Sequence, residues 1–135
     1  MPMTGAIAPE LKLLSVAIVI GLVQLIWATA VARREQDPKW VLGPQDDKAP
    51  LGPMAARLDR AFKNFMETFP LFAAAVVAAD LLGKVGAMTI WGSGLYVAAR
   101  ALYVPLYAFG VPVARTVVWI VGSLGLLLVV AALFL

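Results

Sequence analysis

Residues 113–135 read VARTVVWIVGSLGLLLVVAALFL, with no charged side chain after Arg115. A helix crosses the hydrocarbon core of a bilayer in roughly 20 apolar residues, at a rise of about 1.5 Å each. Working back along the chain, residues 11–32, 61–82 and 87–107 read as three further spans. The first is interrupted only by Lys12 at its outer end and Gln24 near its middle. The second carries Lys63, Asn64 and Glu67 early, then Pro70, and Asp80 late; the third carries Arg100, Tyr103 and Pro105. The composition agrees. The 135 residues are 62% hydrophobic and 14% charged, with a mean hydropathy of +0.90. Soluble domains hold roughly 45–50% apolar and about 25% charged residues, so a water-soluble fold of this size would leave the surplus on its surface. With no Cys and no His, a disulfide framework, a thiolate metal site, a cysteine nucleophile and a histidine base are excluded. No metal site and no nucleic-acid partner are expected.

The sole long connection is 33–60, which holds Pro38, Pro44, Pro50 and Pro53 with Gly43 and Gly52. It reads as irregular chain. The other two connections, 83–86 and 108–112, are short, and short connections make consecutive helices antiparallel neighbours. The expected fold is therefore all-α and membrane-integral: one up-down bundle of four transmembrane helices spanning 1–135. The segment Ala28-Thr29-Ala30 resembles a small-residue cleavage site, but the apolar stretch before it is long for a signal peptide and its leader barely basic, so the first span is expected to be retained. Positive charge orients the bundle. Arg33, Arg34, Lys39, Lys48, Arg57, Arg60 and Lys63 cluster in or beside the long loop, against Lys12 and Lys84 on the other side. The positive-inside rule then places the first and third loops in the cytoplasm and both termini opposite. Trp27, Trp40, Trp91 and Trp119 are candidate interfacial anchors.

Charged groups inside a span cost roughly 2.5–3.5 kcal/mol on insertion scales, so they mark functional candidates. On the second helix, Arg57, Arg60, Asn64 and Glu67 recur at spacings of three, four and three. At about 100° per residue they form one stripe roughly 80° wide. On the third helix Tyr96, Arg100, Tyr103 and Tyr107 form another, and on the first Gln24, Trp27 and Arg34 share a face. In an up-down bundle the first and third loops lie on one side of the membrane. Arg34, Arg60, Asn64, Glu67, Arg100, Tyr103, Tyr107 and Arg115 would then occupy one leaflet. Lys63 and Glu67 form an i, i+4 pair and can neutralise each other, terminal arginines and tyrosines can be ordinary flanking residues, and Asn64 can be interhelical glue. Arg100 and Glu67 lie too deep to be flanks. Asp80 sits off the stripe, near the other surface, and reads as an end-of-helix residue. Several guanidiniums with one carboxylate suit an anionic ligand carrying more than one carboxylate and one ammonium. The apolar walls beside them suit a lipophilic second substrate arriving through the bilayer.

The segment 57–70, RLDRAFKNFMETFP, resembles the second-helix signature of the MAPEG family, membrane-associated proteins of eicosanoid and glutathione metabolism that include the microsomal glutathione transferases. Arg100-Ala-Leu-Tyr103-Val-Pro-Leu-Tyr107, followed by Gly110-Val-Pro112-Val-Ala-Arg115-Thr116 and Trp119, is a second match and is similar to bacterial members. In the loop, Gln45 stands where those members commonly carry an arginine. The resemblance implies a homotrimer in the inner membrane, with glutathione bound between subunits as co-substrate. It implies that Arg60, Asn64, Glu67, Arg100, Tyr103 and Tyr107 hold the tripeptide. Arg34, or Arg33 in its stead, would contribute from the first helix, and Arg57 matches a further basic position. Arg115 would stabilise the glutathione thiolate, with Thr116 donating to the same sulfur. The implied activity is transfer of glutathione to small lipophilic electrophiles, together with reduction of lipid hydroperoxides. Two other readings stand beside it: a non-catalytic lipid- or glutathione-binding protein of the same fold, and a small multidrug transporter. The transporter reading lacks the carboxylate such proteins place deep in the first helix, where this chain has Gln24.

Overall fold

The computed structural model describes residues 7–46 and 51–135. Lys48 of the basic cluster and Pro50 of the loop lie outside the described residues, as do the first six positions. The elements run α1 (Pro9–Glu35), α2 (Pro38–Leu42), α3 (Pro53–Leu81), α4 (Ala87–Ala108) and α5 (Pro112–Ala132). Among the described residues there is no strand. By length and composition α1, α3 and α5 are apolar enough to cross a membrane; α4 is not one of the three. Its 22 residues include Arg100, Tyr96, Tyr103 and Tyr107, which dilute its apolar content.

The expected loop over 33–60 is shorter than its proline content suggested. Four of the five helices begin with a proline at their first position. There the missing N–H costs nothing and the fixed φ suits a helix. Pro38 follows Asp37, whose carboxylate accepts from the Lys39 amide at 2.9 Å and caps α2. Pro53 starts α3 eight residues before the expected boundary, so Arg57 and Arg60 lie on helix. The Glu35 carboxylate at the end of α1 accepts from the Gly52 amide at 2.5 Å, tying that end to the start of α3. Gln45 sits at φ 58°, and its amide donates to the Val41 carbonyl at 2.7 Å, closing the end of α2.

The contacts fix the helix directions. Arg60 meets Tyr107, Asn64 meets Arg100 and Thr68 meets Tyr96, so α3 and α4 are antiparallel. Glu10 meets Thr89 and Trp27 meets Phe109, so α1 runs with α4. The arrangement of the long helices is up-down. Two buried clusters fill it. Ala17, Phe72, Val76, Tyr96 and Val129 pack in one half; Leu58, Val104 and Ala108 pack in the other, with Trp27 and Val31 against them. Phe72 stacks on Tyr96 with ring centroids 4.1 Å apart. Much of the outer face is exposed and aliphatic, including Val19, Val23 and Ile26 on α1 and Val117, Leu124 and Leu127 on α5.

Both tight connections use one device. Gly83 and Gly110 each adopt φ +69°. In each case the residue after the glycine donates back across the helix end, Lys84 to the Ala79 carbonyl at 2.8 Å and Val111 to the Leu106 carbonyl at 2.9 Å. This closes the last turn with a residue that only glycine adopts cheaply. Arg57 takes a further orphan carbonyl, donating to Ala108 O at 3.2 Å.

The α4–α5 contact is the closest in the bundle. A Cβ at Gly125 would lie 2.5 Å from the Gly92 carbonyl oxygen, and one at Gly92 would lie 2.6 Å from the Gly125 carbonyl oxygen. Where lipid competes as an apolar solvent, such close backbone packing drives helix association. Gly125→Val is expected to push the helices apart against rigid backbone, at a cost of at least the 1–3 kcal/mol typical of overpacking. A lowered thermal midpoint of the detergent-purified protein checks this, with Gly94→Val, where a Cβ meets nothing within 4 Å, as the control.

Candidate functional site

At the end of the bundle where α3 begins, α4 ends and α5 begins, a groove of about 230 Å³ is lined by Arg60, Asn64, Tyr103, Tyr107, Arg115, Thr116 and Trp119. Three helices contribute, and each follows its own periodicity: 60 and 64 on α3, 103 and 107 on α4, and 115, 116 and 119 on the first turns of α5. The layer inferred from sequence is therefore a real juxtaposition for these residues.

Tyr107 is its hinge point. Its hydroxyl accepts from Arg60 Nε at 3.1 Å, and its ring lies 5.8 Å from the Arg60 guanidinium carbon and 4.5 Å from that of Arg115. Tyr103 meets Tyr107 edge to face at 5.5 Å. Two guanidiniums thus share one phenol, and the π face relieves part of the repulsion between them. Among the described residues no side-chain hydrogen bond engages the Arg115 guanidinium. Its planar set of donors faces the groove ready for an anion.

Arg100 sits behind this surface and is 2% exposed. Its Nη1 donates to Asn64 Oδ1 at 2.9 Å, while among the described residues Nε and Nη2 have no partner. Its guanidinium lies 4.3 Å from the Tyr103 ring centroid and 5.6 Å from that of Phe65. A buried cation held by one amide and two ring faces lacks a compensating anion. Glu67 is exposed on α3, and among the described residues no hydrogen bond joins it to Arg100 or Tyr103. Lys63, spaced to pair with either neighbour, pairs with Asp59 at 2.9 Å and not with Glu67. Pro70 lies inside α3 and cannot donate to the Met66 carbonyl, leaving an acceptor beside Glu67.

Other expected residues lie apart from the groove. Arg34 is exposed at the end of α1 and does not line it. Arg33 donates to Gln36 at 2.6 Å on the surface. Arg57 is engaged at the end of α4. Thr116 lines the groove, yet its hydroxyl donates to the Pro112 carbonyl one turn back at 3.0 Å. Asp80 sits at the end of α3, as its position suggested. Of the tryptophans, Trp91 is exposed on the first turn of α4, Trp27 packs against the inner cluster, and Trp119 lines the groove.

Sequence reading missed three buried polar groups. Ser93 and Thr89 are fully buried and continue the α4 stripe backward from Tyr96 in steps of three and then four residues, a spacing that was there to extend. Glu10 is buried too, although it precedes the first apolar run. Gln24 is 2% exposed with neither amide atom partnered, so α1 presents it to the bundle and not to lipid.

No curated protein and no solved structure matches the chain. The family model does: it spans residues 13–135 and takes in every residue of the groove. With its three apolar helices of membrane-crossing length, the chain is a membrane protein and belongs to the MAPEG family.

Proposed function

We propose that the protein is a glutathione-dependent transferase of the inner membrane that conjugates small lipophilic electrophiles and also reduces lipid hydroperoxides. The observation that carries this reading is the meeting of Arg60, Asn64, Tyr103, Tyr107 and Arg115 from three helices in one groove, with the under-compensated Arg100 behind it. Glutathione offers two carboxylates, one ammonium and one thiol. Arg60 and Arg100 suit the carboxylates, and Glu67 with the freed Met66 carbonyl suits the ammonium. Arg115 suits the sulfur.

The chemistry then follows from charge. The thiolate is the nucleophile, and a free thiol has a pKa of about 8.5. A guanidinium beside it in a site of low dielectric favours the charged form. The proton leaves to solvent at the membrane surface. The sulfur forms a bond to the electrophilic carbon as the leaving group departs with its electron pair. For a hydroperoxide, the thiolate takes the terminal oxygen and releases the lipid alcohol. A second glutathione then returns the first as disulfide and water.

The same reading assigns four membrane spans, α4 included, with the first and third loops cytoplasmic, and a homotrimer. One subunit's groove, at about 230 Å³, falls below the roughly 300–1,000 Å³ of sites that enclose a ligand. Glu67 and Arg34 are both exposed on a single chain. A neighbouring subunit that closes the groove and brings its own Arg34 to it would complete the site.

Calorimetric titration of glutathione into the detergent-purified protein, with thiolate absorbance followed in parallel, tests the proposal. Saturable binding with rising thiolate absorbance, followed by turnover of a nitroaryl halide, is expected. Binding without thiolate or turnover across a panel of electrophiles and hydroperoxides would leave a non-catalytic binding protein. Thr116→Val should change turnover by less than about threefold, since the hydroxyl's own helix already holds its hydrogen. Steady-state rates under saturating glutathione check this.

A further inference from the structure

We propose that the opposite end of the bundle carries a second binding site, one that takes a lipophilic primary amine. It goes beyond the glutathione reading and does not depend on it. A cavity of about 700 Å³ opens there between the start of α1, the end of α3 and the start of α4, within the size range of small-molecule sites. Its walls are mainly apolar, with Ile7, Leu81, Val85 and Ile90 among them, and its acidic groups are Glu10 and Asp80.

Glu10 is the informative residue. It is 1% exposed, and its Oε2 accepts from the Thr89 hydroxyl, yet among the described residues its Oε1 has no partner. A buried carboxylate oxygen without a donor is costly, and among the described residues none supplies one. At the start of α4 the Gly86 N–H is taken by Thr89 Oγ1 at 2.8 Å. Among the described residues neither Lys12 nor Lys84 pairs with Glu10 or Asp80. The starts of α1 and α4 and the end of α3 meet there, so the helix dipoles do not by themselves favour a cation, and the preference rests on the two carboxylates.

The donor set selects the ligand's chemistry. Among the described residues no group of three or more acidic or imidazole side chains is arranged to hold a metal ion. No aromatic ring lines the cavity, so a quaternary ammonium would find no aromatic cage. A primary ammonium supplies three N–H donors and one charge, and its alkyl chain fits the apolar walls. Such a group belongs equally to a free lipophilic amine and to the amino headgroup of a bilayer lipid.

The test titrates decylammonium, decyltrimethylammonium and decanol into the purified protein in maltoside micelles, read by calorimetry. Decylammonium should bind about tenfold or more tighter than either analogue, as one charge-assisted hydrogen bond implies. Glu10→Gln and Asp80→Asn should each weaken it by about tenfold while the glutathione titration is unchanged. Asp80 is exposed at a helix end, so Asp80→Asn tests the site even if Glu10→Gln fails to fold. Equal binding of decanol, or affinity for decylammonium unaltered in Asp80→Asn, overturns the proposal. Repeating the titration in phosphatidylethanolamine and phosphatidylcholine nanodiscs separates the two sources. Competition only in the former identifies the headgroup, and equal affinity in both identifies the free amine.

Discussion

Arg115→Ala is expected to abolish the thiolate absorbance that glutathione develops on the wild-type protein, and to cut turnover at pH 7 by about thirtyfold. The magnitude follows from ionisation alone. At a free-thiol pKa of about 8.5 only about 3% of the sulfur is ionised at pH 7. A guanidinium that brings the pKa below 7 makes the thiolate the major form, and removing it returns the thiol to its free value. The sign gives a second check. The variant's rate should climb with pH up to about 8.5, whereas the wild type should be flat across that window. Arg115→Lys should recover part of the loss, because it restores the charge but not the planar donor set. Binding of glutathione should weaken far less than turnover falls, since the carboxylate and ammonium contacts lie on α3 and α4. The geometry supports singling out this arginine: Arg60 and Arg100 are each committed to a hydrogen bond, to Tyr107 and to Asn64, while among the described residues no side-chain hydrogen bond engages Arg115, which lies over the face of Tyr107. A variant that kept both thiolate and turnover would remove Arg115 from the chemistry.

Why the groove was legible in the sequence and its surroundings were not has a physical reason. The spacings that place 60 with 64, or 103 with 107, are set by helix geometry and survive whatever the neighbours do. The short connections after Leu82 and Ala108 force antiparallel neighbours, so depth along one helix converts into depth along the next. What periodicity cannot give is the partner across an interface. Lys63 is placed equally well for Asp59 and Glu67, and the structure gives it to Asp59. Arg57 shares the stripe of Arg60 but lies a turn nearer the helix start, where it reaches the end of α4. Prolines misled at the long loop because the same residue that breaks a helix interior opens a helix at its first position. Glu10 was passed over because hydropathy marks where an apolar run starts, not which polar neighbour the bundle buries.

Arg100→Met should leave the unliganded protein about as stable as the wild type and yet weaken glutathione binding by about thirtyfold to several thousandfold, the 2–5 kcal/mol typical of losing one member of a buried charge pair. The two halves of this expectation come from one feature. In the ligand-free chain Arg100 is a buried cation with one hydrogen bond, two ring faces and two unpartnered nitrogens. Replacing such a group by an apolar side chain of similar length is commonly neutral or stabilising. Removing its partner is different: Asn64→Leu strips the hydrogen bond from the buried cation, which should cost about 1.5–3 kcal/mol. Thermal unfolding of the two variants, with and without glutathione, tells the cases apart. Wild type should gain stability with glutathione by mass action, because a carboxylate supplies what Arg100 lacks. Arg100→Met should start as high and gain little. Asn64→Leu should start low and recover part of its deficit if the carboxylate can still reach the guanidinium. A wild-type-like glutathione shift in Arg100→Met would mean that the buried cation serves packing alone, and that the tripeptide is held by Arg60 and Arg115 of the groove.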